Sequence, residues 1–327
     1  MEKTMPLRQL GKSDLMVSAI GLGCWQFSRE KGLGGKYWPF LKESEILEIV
    51  RVSLEGGINW FDTAESYGMG ESERALSAAL KKLGKPNEQV IIATKWMPVL
   101  RRASSILKTI DKRIQNLDNY RIDLYQIHHP WSFSSTKAQM RAMARLVHDK
   151  KVRYIGVSNF SAKRMKKAYD ELSSLGLDLI SNQVRYNLID RRIETNGILD
   201  KAKELGISII AYSPLAQGIL SGKFHDDPGL IRRRSGYRKY MGAFKPKGLE
   251  RSRGVVQALK ELAEKYRATP SQIALNWVIN YCGEAIVAIP GATSSTQAKD
   301  NTGSMRFKLA EDDLRYLDRV STPFKFK

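Results

Sequence analysis

The 327-residue sequence contains little cysteine, a deficit of acidic residues and no long apolar segment. Its two cysteines, Cys24 and Cys282, are too far apart in the chain for a CxxC metal site or a disulfide framework, so we expect no metal and a reducing, cytoplasmic location. No run approaches the ~18 consecutive apolar residues of a transmembrane helix. Charged residues interrupt the apolar positions of residues 1–23, so we expect neither a secretory signal nor a membrane partner.

Acidic residues are scarce relative to basic ones: 34 Asp and Glu stand against 54 Lys and Arg, a formal net charge of +20. Such an excess is typical of proteins that bind phosphate groups, from nucleic acids to dinucleotides. It also fits a basic solvated surface, because net charge reports neither fold nor site. No nucleic-acid recognition motif is present, so that alternative rests on charge alone and we expect no nucleic-acid partner. The oligomeric state stays open.

Short β-branched or apolar runs alternate with amphipathic helical patterns along most of the chain, whose 42% hydrophobic content is that of an ordinary globular protein. The predicted strands are Ala19–Leu22, Trp60–Asp62, Val90–Thr94, Leu124–His128, Tyr154–Val157, Leu179–Gln183, Ser208–Tyr212 and Ala285–Ile289. The predicted helices are Ser44–Glu55, Ser72–Leu83, Ser104–Leu117, Lys137–Asp149, Lys163–Ser174, Gly197–Leu205, Val255–Tyr266, Pro270–Tyr281 and Glu311–Val320.

Eight strands, each followed by a helix, predict an α/β fold of parallel βαβ units closed into a (β/α)8 TIM barrel. The alternative is an open doubly wound sheet, but no G-x-G-x-x-G follows the first strand, which favours the barrel. Pro6–Gln9 and Leu15–Ser18 predict an N-terminal β-hairpin that plugs the barrel bottom. The segment Ser213–Glu250, after the seventh strand, is too long for a passive connection and is predicted to be a functional loop. No domain boundary is evident, so residues 1–327 are predicted to form one domain.

Polar residues follow three successive predicted strands. Asp62 and then Tyr67 follow one strand, Lys95 follows the next, and His128 ends the third. In a barrel these strand ends meet at one mouth. A nearby ammonium lowers the pKa of a tyrosine, which is about 10 in isolation, and a carboxylate keeps that ammonium charged. Each residue alone is more often structural, but together they suit the transfer of a proton to an oxygen that becomes an alkoxide.

Longer stretches resemble the aldo-keto reductase superfamily, in the prokaryotic branch related to potassium-channel β-subunits. The matching stretches are GLGCWQF (21–27), NWFDTAESYGMGESERALSAAL (59–80), IIATKW (91–96), RIDLYQIHHP (121–130), IGVSNF (155–160), NQVRYNLIDR (182–191), IIAYSPLAQGILSGKF (209–224) and IPGATSSTQAKDN (289–301). They cover nearly the whole chain in the order typical of the family.

The resemblance implies catalytic and cofactor-binding roles. Tyr67 matches the general acid, Lys95 and Asp62 match the pair that tunes its pKa, and His128 matches the residue that orients the carbonyl. Ser158, Asn159 and Gln183 match residues that hydrogen-bond the nicotinamide carboxamide, and Tyr212 matches the ring that stacks on the nicotinamide. The residues that match the stretch around the pyrophosphate are Ser213, Leu215, Gly218 and Lys223. Those that match the loop and helix start at the adenosine end are Gly291, Ala292, Thr293, Gln297, Asp300 and Asn301.

Some positions depart from the family's common pattern. His129 stands where Trp is common and competes with His128 for the catalytic assignment, and Arg185 stands where Glu is frequent, with no functional account. The substrate pocket is predicted to be lined by Trp25, Trp96 and His129, with Tyr37, Trp38 or Trp131 from loops. An aromatic pocket with few polar groups predicts broad specificity toward carbonyl compounds.

The choice between NADPH and NADH depends on cations that can contact the 2′-phosphate of NADPH. Many NADP-selective members carry Lys and Arg at the positions of Gly291 and Gln297, so two contacts to the 2′-phosphate are missing here. The basic residues of 223–253 either close on the cofactor phosphates as a lid or form a solvated basic loop. They are Lys223, Arg232, Arg233, Arg234, Arg238, Lys239, Lys245, Lys247, Arg251 and Arg253. The resemblance to the family favours NADPH over NADH as the cofactor.

The sequence therefore predicts an NADPH-dependent oxidoreductase that reduces small-molecule aldehydes and ketones by hydride transfer, with Tyr67 as general acid. The alternative is a cofactor-binding redox sensor or regulatory subunit with little turnover. The physiological carbonyl compound and the direction of the reaction in the cell stay open.

Overall fold

The structure, a computed structural model, describes residues 6–29, 37–233 and 237–326. The strands within them are β1 (Leu7–Gln9), β2 (Met16–Ser18), β3 (Leu22–Gly23), β4 (Trp60–Asp62), β5 (Ile91–Trp96), β6 (Ile122–Ile127), β7 (Val152–Ser158), β8 (Leu179–Arg185), β9 (Ser208–Tyr212) and β10 (Ile286–Ile289). The helices are α1 (Glu43–Glu55), α2 (Glu71–Lys82), α3 (Ser104–Asn116), α4 (Thr136–His148), α5 (Ala162–Ser173), α6 (Ile198–Leu205), α7 (Lys223–Asp226), α8 (Pro246–Tyr266), α9 (Pro270–Asn280), α10 (Ser295–Gly303) and α11 (Glu311–Ser321).

Strands β3 to β10 form one parallel sheet in which spatial order follows chain order. The sheet closes on itself, because the N–H of Gly21 donates to the carbonyl of Ala288 (2.8 Å) and the N–H of Ala288 donates to the carbonyl of Ala19 (3.0 Å). With helices between its strands, the molecule has the predicted (β/α)8 TIM-barrel fold. Active sites of such barrels lie at the carboxyl ends of the strands.

The N-terminal hairpin is present, with β1 and β2 paired antiparallel. Its side chains Leu10, Leu15 and Val17 are buried in the same apolar cluster as Trp60 and Ile180, near the first residues of β4 and β8. The hairpin therefore closes the amino-terminal end of the barrel, so solvent and ligands enter from the carboxyl ends of the strands.

The boundaries of several elements differ from those predicted. The ends of strands β5 and β6 differ from the predicted ends by one or two residues. Strands that are buried on both faces lack the alternating pattern that would mark their ends. Helix α8 begins nine residues earlier than predicted, with Pro246 in its first turn and Leu249 and Ser252 already buried. Helix α10 has only a weak apolar stripe, which is why periodicity did not reveal it.

The segment after β9 is organised by short helical turns, at 216–221, 223–226, 237–240 and 242–244. A separate apolar cluster anchors it, formed by Ile219, Phe224, Ile231, Phe244 and Leu249. The segment is therefore packed against the barrel on its own small core. No helix in the described parts of the chain is long and apolar enough to cross a membrane.

Candidate active site

The carboxyl ends of the barrel strands open into a cavity of about 1330 Å3. Small-molecule pockets typically measure ~300–1,000 Å3, so this cavity can hold an extended ligand together with a second small molecule. The predicted site residues that line it are Trp25, Asp62, Tyr67, His128, His129, Ser158, Asn159, Gln183, Tyr212, Ser213, Leu215, Gly218, Lys223, Gly291, Thr293, Gln297, Asp300 and Asn301.

Lys95 lies fully buried beneath the cavity and joins Asp62 to Tyr67. Its Nζ pairs with Asp62 Oδ1, donates to the carbonyl of Thr63 (2.8 Å) and lies 3.5 Å from the Tyr67 hydroxyl. Asp62 ends β4 and Lys95 belongs to the adjacent β5, so the register of the barrel brings them together. Gly68 allows the turn that presents Tyr67, since its φ is +63° and a Cβ there would lie 2.3 Å from the Ser28 carbonyl oxygen.

Two buried glutamines complete this arrangement. The Nε2 groups of Gln126 and Gln183 donate to Asp62 Oδ2 at 3.1 and 2.8 Å. Sequence analysis missed Gln126; the available signal was a polar residue inside the apolar strand β6. Gln183, predicted to contact the nicotinamide, lines the cavity while bonded to Asp62. We call Asp62, Tyr67, Lys95, Gln126 and Gln183 the floor cluster.

The pKa of Tyr67 in the floor cluster differs from the one predicted from the sequence. Burial raises the pKa of Tyr67 by more than the Lys95 ammonium lowers it, so the net shift is upward and not downward as predicted. Burial acts to lower the pKa of Lys95, but the Asp62 carboxylate and Tyr67 outweigh it and hold that pKa above its usual value. At neutral pH, Tyr67 is thus a protonated donor beside a charged ammonium.

The two histidines lie side by side at the edge of the floor cluster. Their rings stack with centroids 4.7 Å apart, and His128 meets the Tyr67 ring edge-to-face at 5.6 Å. Burial, with a contribution from Lys95, lowers the pKa of His128 well below its usual value, so its imidazole is neutral. Its Nδ1 lies 3.2 Å from the Ser66 hydroxyl, while His129 stacks outward on Trp131. His128, not His129, therefore adjoins Tyr67.

Aromatic rings form one wall of the cavity. Trp25 stacks on Tyr67 (6.0 Å between centroids) and on Tyr37 (4.7 Å), and it meets Trp38 edge-to-face at 5.7 Å. The prediction that Trp96 belongs to this wall is wrong. Successive strand residues face opposite sides, so with Lys95 facing inward Trp96 packs among the helices, and its Nε1 donates to Ser105 (3.0 Å).

Residues predicted for the nicotinamide end form a connected group. The Tyr212 hydroxyl donates to Asn159 Oδ1 (3.0 Å), and Asn159 Nδ2 donates to the carbonyl of His128 (3.2 Å). Ser158 donates to the carbonyl of Gln183 (2.9 Å). Asn159 has φ +61°, a left-handed conformation that directs its side chain across the mouth. These contacts join the nicotinamide-end residues to the floor cluster and to His128.

The backbone of residues 213–218 adopts an unusual conformation. Ser213, Ala216, Gln217 and Gly218 all have positive φ values, between 47° and 95°. Turns of this kind can direct backbone N–H groups toward an anion. The N–H groups of Ala216 and Gly218 already donate to the carbonyls of Ser213 and Leu215, so the other N–H groups of the turn would serve a ligand. Lys223 adds a cation there, because its Nζ lies 3.6 Å from where a Gly218 Cβ would be. Leu215, also predicted for this region, lines the cavity.

The far end of the cavity is formed by two helix N-termini. Gln297 near the start of α10 accepts from the Thr293 N–H (2.9 Å), and Asp300 and Asn301 follow on that helix. Ala292, predicted with them, is buried behind this lining. Residues 269–271, at the start of α9, also line the cavity and were missed by sequence analysis. A helix N-terminus favours phosphate, so this end can bind an anionic ligand.

Nine of the ten basic residues predicted for a lid are described by the structure, and two of these nine, Lys223 and Arg238, line the cavity. Arg232 and Arg233 are exposed, and Arg233 pairs with Asp227. Arg234 lies outside the described residues. Among the described residues of this segment, two basic side chains are therefore available to a ligand in the cavity. In the described parts of the chain, no three His, Cys, Asp or Glu side chains are grouped to hold a metal ion.

Arg238 belongs to a contact between two loops over the cavity. Its guanidinium lies 4.3 Å from the Trp38 ring centroid, and its Nη1 donates to the carbonyl of Gln217 (3.3 Å). The Tyr37 hydroxyl donates to Gln217 Oε1 (2.6 Å) and lies 3.0 Å from Met241 Sδ. We call Tyr37, Trp38, Gln217, Arg238 and Met241 the rim cluster. Sequence analysis named Tyr37, Trp38 and Arg238 but not their association.

Comparison with known proteins agrees with this geometry. Residues 19–322 match the model of the aldo/keto reductase family. An uncharacterized oxidoreductase of Mycobacterium bovis is 35% identical over 310 residues, covering 94% of this chain and 91% of that protein. The chloroplastic pyridoxal reductase of Arabidopsis thaliana is 32% identical over 330 residues, covering 96% and 86%. A thermostable aldo-keto reductase solved with the inhibitor epalrestat superposes with a TM-score of 0.78 at 28% identity, covering 97% of this chain and 100% of that one.

Proposed function

The chain belongs to the aldo/keto reductase family, and we propose that it reduces aldehydes and ketones to alcohols with a nicotinamide cofactor, NADPH in preference to NADH. The observation that carries this proposal is the Tyr67 hydroxyl at the base of a large cavity, with Lys95 and Asp62 directly behind it. The two cysteines are unpaired thiols, which supports a reducing, cytoplasmic compartment.

Several features of the cavity itself suit a dinucleotide. Left-handed residues of 213–218 and Lys223 would hold the phosphates, and the start of α10 would hold the adenosine end. Gln26 Oε1 is buried without a hydrogen-bond partner beside Gly291, which leaves an acceptor for a ligand at that end. Ser158, Asn159, Gln183 and Tyr212 would hold the nicotinamide. When bound, the reduced cofactor supplies the hydride that adds to the carbonyl carbon.

The residues of the chain would then act on the carbonyl oxygen. Tyr67 donates its hydroxyl proton to that oxygen, which completes the alcohol and leaves a phenolate. The Lys95 ammonium stabilises the phenolate, and Asp62 keeps Lys95 charged and in place. The neutral imidazole of His128, adjacent to Tyr67, offers a hydrogen bond that orients the carbonyl group.

The preference for NADPH is supported by the cations of the cavity. A lysine at position 291 would not fit without rearrangement, because a Cβ there would lie 2.1 Å from the Gln26 side chain. The chain instead presents Lys223 and Arg238 from the segment after β9. Arg is suited to phosphate because its planar fork binds two oxygens. We propose that these two cations attract the cofactor from the segment after β9 and so compensate for the missing cations at positions 291 and 297.

The test is oxidation of NADPH and of NADH by the purified protein with a panel of aldehydes and ketones, followed by the absorbance of the reduced nicotinamide. We expect turnover with NADPH and a higher KM for NADH. Cofactor affinities measured in parallel by tryptophan fluorescence separate binding from chemistry. Tight binding of NADPH without turnover of any carbonyl compound would contradict the reductase function and favour the redox sensor.

A further inference from the structure

Arg185 is a cation in the cavity to which no role has been assigned. It is the last residue of β8 and lines the cavity beside Tyr212, its register partner on β9. Its Nε is buried and has no hydrogen-bond partner, and the guanidinium makes no hydrogen bond or ion pair with any residue that the structure describes. An unsatisfied buried donor is costly, most of all on a charged group, so this guanidinium would gain stability by binding an anionic group.

The surroundings of Arg185 contain hydroxyl groups and a second cation, but no carboxylate within ion-pair distance among the described residues. Burial raises the pKa of Tyr37 and of Tyr212, and in both cases Arg185 opposes that effect, which places its charge near both hydroxyls. Arg238 acts on Tyr37 in the same way. The positive charges of Arg238, which is proposed above to serve the cofactor, and of Arg185 therefore both act on Tyr37, and Arg185 is the one without an assigned role.

This cationic region is connected to the proton donor by stacked rings. Tyr37 stacks on Trp25 at 4.7 Å, and Trp25 stacks on Tyr67 at 6.0 Å. A compound with its carbonyl oxygen at Tyr67 and its body along Trp25 would extend toward Tyr37 and Arg185. Trp25 and Tyr67 both line the cavity and offer apolar surface to the body of the compound.

The phosphates of a dinucleotide have other partners. The left-handed residues 213–218 and Lys223 follow β9, and the start of α10 follows β10. Arg185 lies on β8, on the opposite side of β9 from β10. The order of the strands thus separates Arg185 from the start of α10, whereas Ser213 directly follows Tyr212, the register partner of Arg185, so the experiment must also measure cofactor affinity.

We propose that Arg185 binds an anionic group, a carboxylate or a phosphate, at the end of the substrate remote from its carbonyl, so that the enzyme prefers negatively charged aldehydes. This inference rests on the proposed reductase function. A guanidinium binds such groups through two parallel hydrogen bonds, which would satisfy the buried Nε. The pyrophosphate of the cofactor has the same chemistry, and the experiment must separate the two sources.

The experiment compares Arg185→Gln with the wild type on para-carboxybenzaldehyde and on its neutral methyl ester. We expect the variant to lose about ten- to hundredfold in kcat/KM on the carboxylate, mainly through KM, because a hydrogen-bonded charge pair is lost. The ester and the affinity for NADPH should change little. Arg192→Gln is the matched control: it removes a charge near Tyr212, but Arg192 is exposed and paired with Asp190 outside the cavity lining.

Each result decides the proposal. An unchanged ratio between the two aldehydes in Arg185→Gln would overturn it. A loss of NADPH affinity with an unchanged ratio would assign Arg185 to the cofactor and also overturn it. If no carbonyl compound is turned over, the reductase function fails, and the anion site is tested by binding of para-(hydroxymethyl)benzoate and its ester. Tighter binding of the anion in the wild type, lost in Arg185→Gln, would support the anion site alone, and equal binding would overturn it.

Discussion

The floor cluster and the rim cluster of the same cavity are built in opposite ways. In the floor cluster, strands of one sheet hold charged groups whose hydrogen bonds are nearly all made, with Lys95 and both oxygens of Asp62 fully engaged. In the rim cluster, two loops far apart in the chain meet through a few polar contacts, and Trp38 Nε1 is buried with no partner among the described residues. The difference indicates that the groups of the floor cluster are held in place before any ligand binds, whereas those of the rim cluster are less completely hydrogen-bonded.

The largest effect should come from Asp62→Asn, which removes one charge of the buried pair in the floor cluster. Lys95 would be left buried without a carboxylate, and breaking such a pair costs about 3–5 kcal/mol. We expect this loss in the free energy of unfolding measured with urea. Asp170→Asn is the control, because it breaks an exposed pair with Lys166 and should leave stability nearly unchanged. Equal small effects of the two variants would show that the floor cluster is not a buried charged unit.

Gln126→Leu should have the next largest effect. It removes one of the two amide donors to Asp62 Oδ2, and a hydrogen bond to a charged group contributes about 1.5–3 kcal/mol. Because Gln126 does not line the cavity, we expect a lower kcat with little change in KM or in the affinity for NADPH. The exposed Gln257→Leu should alter none of these. A change in KM alone would place Gln126 among the binding residues instead.

Tyr37→Phe should have a smaller effect, confined to the rim cluster. It removes the hydrogen bond to Gln217, which contributes about 1 kcal/mol, so the two loops should separate more easily. We expect faster release of NADPH in stopped-flow fluorescence and an unchanged rate of hydride transfer. Tyr237→Phe, on an exposed ring, provides the control. A slower hydride transfer in Tyr37→Phe would mean that the two clusters are coupled.

The smallest effect is expected from mild acid. Burial keeps the pKa of His128 well below its usual value of about 6.5, so kcat/KM should stay level as the pH falls through that value. The unfolded chain takes up a proton there and the folded chain does not, so stability should decrease as the pH falls below about 6.5. Parallel pH profiles of rate and of urea unfolding check both signs. A fall in kcat/KM centred near pH 6.5 would contradict a neutral His128.

Much of this arrangement follows from local sequence patterns. The alternation of short strands and helices predicted the barrel, and polar residues after successive strands predicted that Asp62, Tyr67, Lys95 and His128 would converge. What could not be predicted depends on which way a side chain points. Trp96 faces the helices because its neighbour Lys95 faces inward, and a strand buried on both sides shows no alternation from which to read this.

Other features depend on distances between segments remote in the chain. The pKa of Tyr67 is raised because burial outweighs Lys95, a balance that only the packed site reveals. The contact between Tyr37 and Gln217 joins residues 180 positions apart, and no periodicity reports such a pair. The guanidinium of Arg185 has no hydrogen-bond or ion-pair partner among the residues that the structure describes, and such an absence depends on packing that no local pattern reports.

We propose that Tyr67 gives the proton during reduction and does not hold the cofactor. The most direct measurement is the rate of hydride transfer in a single turnover of the NADPH complex with an aldehyde, for the wild type and for Tyr67→Phe. Loss of a general acid should slow this rate by ~10²–10⁴-fold, with the Kd of NADPH unchanged. Hydride transfer near the wild-type rate in Tyr67→Phe would contradict the account.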